Sequence, residues 1–234
     1  RSSGQVSGIK RKAPEEGHRT LGFFMTGDGT STDHKRVMLE KGVDYAMAIK
    51  NSTLQRGECS MAYGAYYMPS LSYGTPATTL TYKECEDIQR PVISAILPKM
   101  GIVRNAARKV VFGTAKYCGL GLDHLATVQD FSRLQYLIGH IRSNSTTSKL
   151  IRQQLDYTQL EIGCPSQVLG QNYSQYSHAI LCPNWITAIW EALHLCKASI
   201  SINSEWIPNP ARRKRSPSCS PWQDQLTSYL PRYP

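Results

Sequence analysis

Acidic residues are scarce in this chain. Only 17 Asp and Glu stand against 27 Lys and Arg in 234 residues, a formal net charge of +10. From Asp87 to Asp123 no acidic residue intervenes, while Arg90, Lys99, Arg104, Arg108, Lys109 and Lys116 all fall between them. A folded segment so biased suits a polyanion lying against it. Long apolar runs are missing too: no stretch reaches the about 18 residues that a membrane helix needs, and the N-terminus carries no signal-peptide pattern. The seven cysteines (Cys59, Cys85, Cys118, Cys164, Cys182, Cys196 and Cys219) are odd in number, scattered and without a C-x-x-C pair. That argues against a disulfide frame and for free thiols in a reducing compartment. Cys182, His194 and Cys196 fit no common four-ligand zinc spacing. No local Cys-His or Ser-His-Asp signature is present, so neither a catalytic residue nor a metal ligand is assigned.

What is there is apolar enough, at 41%, to bury a core, and the length allows one or two domains. Leu21–Met25 reads as a short strand, with turn chemistry from Thr26 to Gly29. Ser31, Thr32 and Asp33 offer cap oxygens to a helix running to about Lys50, with Val37, Leu39, Val43, Ala46 and Ile49 on its apolar face. Gly42 should weaken that helix by about 1 kcal/mol relative to alanine. A tyrosine-rich helix is expected to about Met68, stopped near Pro69. Tyr63, Tyr66 and Tyr67 read there as half-buried helix residues rather than base-stacking platforms, as do Trp185 and Trp190 further on. Thr79 or Thr81 opens the next helix, with Cys85, Ile88, Val92 and Ile96 inward. Pro91 predicts a kink or late start, and Pro98 an end.

Lys109–Phe112 reads as a short strand or extended stretch, and Gly113, Gly119 and Gly121 as turn points. Asp123 is a cap candidate for the clearest helix, where Leu125, Val128, Phe131, Leu134, Ile138 and Ile141 recur every three or four residues. His140 suits the C-terminus of that helix. Ser143–Ser148 breaks the pattern, Lys149–Leu160 reads as a further helix, and residues 163–183 read as mostly irregular. Asn184 caps a last helix bearing Ile186, Ile189, Leu193 and Cys196. Beyond Pro208 the basic run Arg212–Arg215 and many prolines predict a disordered tail.

Three motifs stand in order along this frame. His18-Arg19-Thr20-Leu21-Gly22-Phe23-Phe24 is followed by Gly27-Asp28-Gly29. Further on come Leu97-Pro98-Lys99-Met100-Gly101-Ile102-Val103-Arg104-Asn105 and then Tyr117-Cys118-Gly119-Leu120-Gly121-Leu122. Together they resemble the end of the palm and the following region of reverse transcriptases from non-LTR retrotransposons, over about Ile9 to Ile202. In that family a Leu-Gly hairpin positions the primer, and a basic stretch with a Gly-Gly-Leu-Gly-Leu turn precedes a long helix. Cys118 stands where the family has its first glycine. The family's catalytic aspartates lie upstream of the hairpin, and this chain has no Asp-Asp pair. Val43-Asp44-Tyr45-Ala46 has the wrong order for the Tyr-x-Asp-Asp turn. The chain also starts at Arg1.

The resemblance implies a C-terminal portion that does not polymerise alone. The fold expected is mainly α: a palm-terminal loop and hairpin over 1–30, a thumb-like helical region over 31–160, a helical extension over 161–207 and a disordered tail over 208–234. The function implied is to clamp an RNA–DNA primer-template. Leu21 and Gly22 would approach the primer, and Arg104, Arg108, Lys109 and Lys116 would contact phosphates. Such contacts position a duplex without reading its sequence. This portion needs no cofactor, magnesium belonging to the parent-type polymerase. Its partner is nucleic acid, not a membrane or a small-molecule substrate. The location expected is intracellular, with Lys10–Lys12 and Arg212–Arg215 as candidate nuclear-import runs. The alternative is a stand-alone basic nucleic-acid-binding or scaffold module without enzymatic activity.

Overall fold

The computed structural model describes residues 13, 14, 16–20, 22–27 and 31–202. Leu21, both basic runs at 10–12 and 212–215, and the whole of 208–234 lie outside the described residues. The fold is mainly α, with one two-stranded antiparallel hairpin near its N-terminal end. Strand β1 (His18–Thr20) pairs with β2 (Phe23–Met25), Thr20 opposite Phe23. Of the strand expected over Leu21–Met25, Phe23–Met25 is β2, Gly22 precedes it in a turn, and Leu21 lies outside the described residues. Gly22 has a φ of +88°, a region that glycine enters without steric cost.

Helix α1 (Thr32–Asn51) packs along α4 (Tyr82–Lys99). Its buried face is His34, Met38, Gly42, Ala46 and Ile49, turned from the expected one so that Val43 faces out. The cause is Gly42. A Cβ there would lie 2.7 Å from the Ile88 carbonyl oxygen of α4, so the missing side chain sets how close the two helices come.

Helix α2 (Arg56–Ala62) runs through a π-helical turn, Tyr63–Tyr67, directly into α3 (Met68–Ser72). Pro69 does not stop it. It sits in the first turn of the renewed α-helix, where its missing N–H costs little. The wide turn aims Tyr63 and Tyr67 inward, and their hydroxyls find buried partners in Gln89 and the Ile88 carbonyl. Tyr66 and Tyr73 are exposed. Thr81 caps α4 in a reciprocal box with Glu84. The helix does not start late at Pro91, which lies inside it together with Pro98, and it ends one residue beyond Pro98, at Lys99.

Arg108–Phe112 is helical (α5), not extended. Its two adjacent valines favour a strand, but among the described residues no partner strand is beside it. The carbonyls of Val110 and Val111 instead accept from Leu120 and Leu122 of the returning loop, at 2.9 and 3.3 Å. Helix α6 (Leu125–Ile141) is capped by His124, not Asp123: its Nδ1 accepts from the Ala126 amide at 3.2 Å. Helix α7 (Thr146–Glu161) starts three residues before Lys149, because Ser145 caps it. A short α8 (Tyr173–Tyr176) and single 3₁₀ turns populate the stretch read as mostly irregular. Asn184 caps α9 (Trp185–Leu195) as expected.

Two apolar cores result. The first gathers buried residues from Met38 to Ala126, chiefly of α1, the α2–α3 run and α4. The second runs from Leu134 to Leu193, on α6, α7 and α9. They divide within α6, whose inward face also carries Gln129 and Arg133. Trp185 joins the halves, its indole N–H donating to the Pro76 carbonyl at 2.7 Å.

Candidate nucleic-acid interface

The acid-poor segment leaves α4, forms α5 and folds back on it before entering α6. Lys99 lies in the last turn of α4, where a cation meets the negative end of the helix. Its ammonium donates to the Ser52 carbonyl at 2.5 Å and so ties the exit of α4 to that of α1. Lys50, Lys99 and exposed Arg104 line one recess of about 250 Å³, together with Ser94, Ala95 and Pro98.

Arg108 and Lys109 open α5, anchored by buried Val111. Arg108 is half-buried, and its Nη1 is buried without a partner, so it faces the surface least of the four expected residues. Lys116 is exposed on a 3₁₀ turn, Ala115–Tyr117, with its ammonium 6.0 Å from the Tyr117 ring centroid, a cation–π distance.

The loop beneath these cations is closely fixed. The Gly119 and Gly121 amides donate to the Thr114 and Gly113 carbonyls at 3.0 and 2.8 Å. A Cβ on Gly119 would fall 2.1 Å from the Gly113 oxygen, so no other residue fits there. Cys118 adopts φ +60°, the left-handed conformation. At the far end, the Asp123 carbonyl accepts from the Tyr63 hydroxyl at 2.7 Å and from Gln89 at 3.0 Å.

Among the described residues, none of Lys50, Lys99, Arg104, Arg108, Lys109 and Lys116 pairs with a carboxylate. The carboxylates engaged in ion pairs serve Lys35, Arg36, Arg90 and Arg133. The expected residues thus fall into two groups. Arg104 joins Lys50 and Lys99 in the recess, while Arg108, Lys109 and Lys116 share α5 and the loop folded onto it. Lys50 was not legible as a partner of Arg104; nothing in the sequence brings the end of α1 to residue 104.

Gly22 sits apart from the recess of Lys50, Lys99 and Arg104. The hairpin packs against α1 near its start, where the Phe23 ring lies 4.4 Å from that of His34. Sixteen residues of helix separate His34 from Lys50, roughly 24 Å of rise. A Cβ on Gly22 would meet nothing within 4 Å, so its φ, not a close internal neighbour, calls for glycine. No three His, Cys, Asp or Glu side chains converge as a metal site among the described residues. No helix there is long and apolar enough to cross a membrane.

Comparison with protein-family models, with curated proteins and with solved structures finds no match.

Proposed function

We propose that this chain grips the backbone of an RNA–DNA duplex, as the primer-template-clamping portion of a retroelement-type RNA-directed DNA polymerase. One observation carries the reading: among the described residues Lys99, Arg104, Arg108, Lys109 and Lys116 have no carboxylate partner, and the last three stand on α5 and a returning loop fixed by close glycine contact. Fixed, uncompensated cations neutralise phosphates and release counterions at small entropic cost to the protein. The left-handed Cys118 lends support, because the resemblance expects glycine there, and glycine is the residue that adopts that geometry freely. Gly22 would let backbone approach the primer strand. The magnesium pair of the parent-type chemistry is not assigned to this chain, whose sequence offers no Asp-Asp pair to hold it.

Titration of the full chain with a labelled RNA–DNA hybrid over a salt series tests this. Affinity should fall steeply with salt and vary little with sequence. Changing Arg104, Arg108 and Lys109 together to alanine should lower the log–log slope by about two to three. An unchanged slope removes these residues from the interface.

A further inference from the structure

A cleft of about 460 Å³ opens where the hairpin and the end of α3 face α6, α7 and α9. That volume is within the range of small-molecule sites. Four aromatic side chains from four separate places in the chain meet in it: Phe23 of β2, Tyr73 just past α3, Tyr136 of α6 and Trp185 at the start of α9. Two of the rings are fixed by neighbours. The Trp185 indole N–H donates to the Pro76 carbonyl at 2.7 Å, and the Tyr136 ring lies 4.5 Å from that of His140. A ring fixed before a ligand arrives spares the entropy of fixing it afterwards.

The polar groups around these rings are unengaged. Among the described residues the hydroxyls of Tyr73, Tyr136 and Thr147 and the side-chain amide of Gln154 make no hydrogen bond. Behind the wall formed by Gly74 and Phe23 sits His34, buried with both ring nitrogens unpartnered. A Cβ on Gly74 would come 2.5 Å from its Nε2, so glycine is what lets the imidazole lie so near the cleft. Buried polar atoms left without a partner are costly and few. No charged side chain lines the cleft, so a small organic ion would find no counter-charge in it. A polyanion, by contrast, is drawn to a chain of net charge +10. Lys41 brings one such cation beside the Tyr73 wall: its ammonium donates to the Ser70 carbonyl of α3 at 3.3 Å, and among the described residues it pairs with no carboxylate. A nucleobase on a phosphate chain joins the two properties, an uncharged plane with polar edges and a negative backbone.

We propose that this cleft stacks an unpaired base of a single-stranded nucleic acid against Tyr73, Tyr136 and Trp185, with Thr147 and Gln154 at the base edge. Every base has a π-face, so such a site holds a strand without reading its sequence. A duplex keeps its bases stacked inside and has none to offer. The cleft shares no lining residue with the recess of Lys50, Lys99 and Arg104, and the proposal does not rest on the polymerase reading.

Titration of the full chain with a fluorescein-labelled thymidylate octamer, against an abasic octamer of the same charge, tests the proposal. Anisotropy should report the thymidylate octamer binding about tenfold more tightly, the scale of one stacked base. Tyr136→Ala should weaken the thymidylate octamer about tenfold and leave the abasic octamer unchanged. Tyr136→Phe keeps the ring and should bind like the parent. Tyr73 and Tyr136 are both exposed, one in a turn and one on α6, so Tyr73→Ala decides the matter if Tyr136→Ala unfolds. Equal affinity for the two octamers, or an unchanged thymidylate affinity in the folded alanine variants, would overturn the assignment. So would one-to-one binding of a decaproline peptide that Tyr136→Ala abolishes while thymidylate is unaffected, which would mark a polyproline groove instead. A blunt-ended RNA–DNA hybrid has no unpaired base, so its affinity and salt slope should not change in Tyr136→Ala, and the two proposals fail separately.

Discussion

The hydroxyl of Tyr63 donates to the backbone carbonyl of Asp123, 2.7 Å away and sixty residues further along the chain. The same hydroxyl accepts from Gln89 at 2.5 Å, and Gln89 in turn accepts from the Leu125 amide at 2.9 Å. The end of the basic segment is thereby clasped to the first core at the point where α6 begins.

Replacing Tyr63 by phenylalanine removes that donor and leaves ring packing intact. We expect a loss of about 1–3 kcal/mol in unfolding free energy, the cost of a buried hydrogen bond with a polar partner left behind. Urea denaturation should show a lower midpoint at unchanged slope.

Gly42→Ala sets helix propensity against packing. Alanine gains about 1 kcal/mol within an isolated helix. The new methyl meets the Ile88 carbonyl of a helix that cannot yield locally, which costs about 1–3 kcal/mol. The variant should be less stable than the parent in thermal unfolding; a rise in melting temperature would contradict the α1–α4 crossing described.

The loop under the cations gives paired expectations of opposite sign. Cys118→Gly relieves a left-handed residue worth about 1–2 kcal/mol, offset in part by about 0.4–1 kcal/mol of added unfolded-state entropy. It should stabilise slightly. Gly119→Ala should destabilise strongly, since its Cβ would overlap the Gly113 carbonyl. Guanidinium unfolding of the two variants side by side distinguishes them.

Acid stability should follow two buried imidazoles. Burial lowers the pKa of His34 to about 4, with Lys41 adding, and burial alone lowers that of His124 to about 4. In the unfolded chain both take up a proton near pH 6.5, so stability falls as pH drops from there towards 4. Two such groups give a slope of about 2.7 kcal/mol per pH unit. Asp130 works the other way below pH 6, because burial raises its pKa to about 6 and makes the folded state the proton binder, and halves that slope to about 1.4 kcal/mol per unit. His34→Phe leaves one histidine against Asp130. Its stability should then be nearly flat between pH 6 and 4, as measured by urea midpoints at several pH values.

Much of the helical frame could be read from local chemistry. Asn184 and Thr81 are capping residues whose hydrogen bonds need only their own first turn. The spacing of Leu125, Leu134 and Ile141 likewise marks α6 without outside help. What escaped depends on partners distant in sequence. Val110 and Val111 read as strand until Leu120 and Leu122 claim their carbonyls. Gln129 and Arg133 look like the wet side of α6 until the Thr78 and Leu80 carbonyls are seen to need donors. The basic segment was legible as a charge pattern, but its gathering of Lys50 around Arg104 was not, because helix ends meet through packing and not through spacing.

The two cores occupy consecutive stretches of chain, the first closing at Ala126 and the second opening at Leu134. During synthesis, then, the earlier one can consolidate before α7 leaves the ribosome, with no later segment required to complete it. The distal half of α6 emerges next with Leu134, Leu137 and Ile141 still bare. For that interval the nascent polypeptide displays a greasy, chaperone-recognisable edge, which α7 and α9 withdraw from view once they are translated.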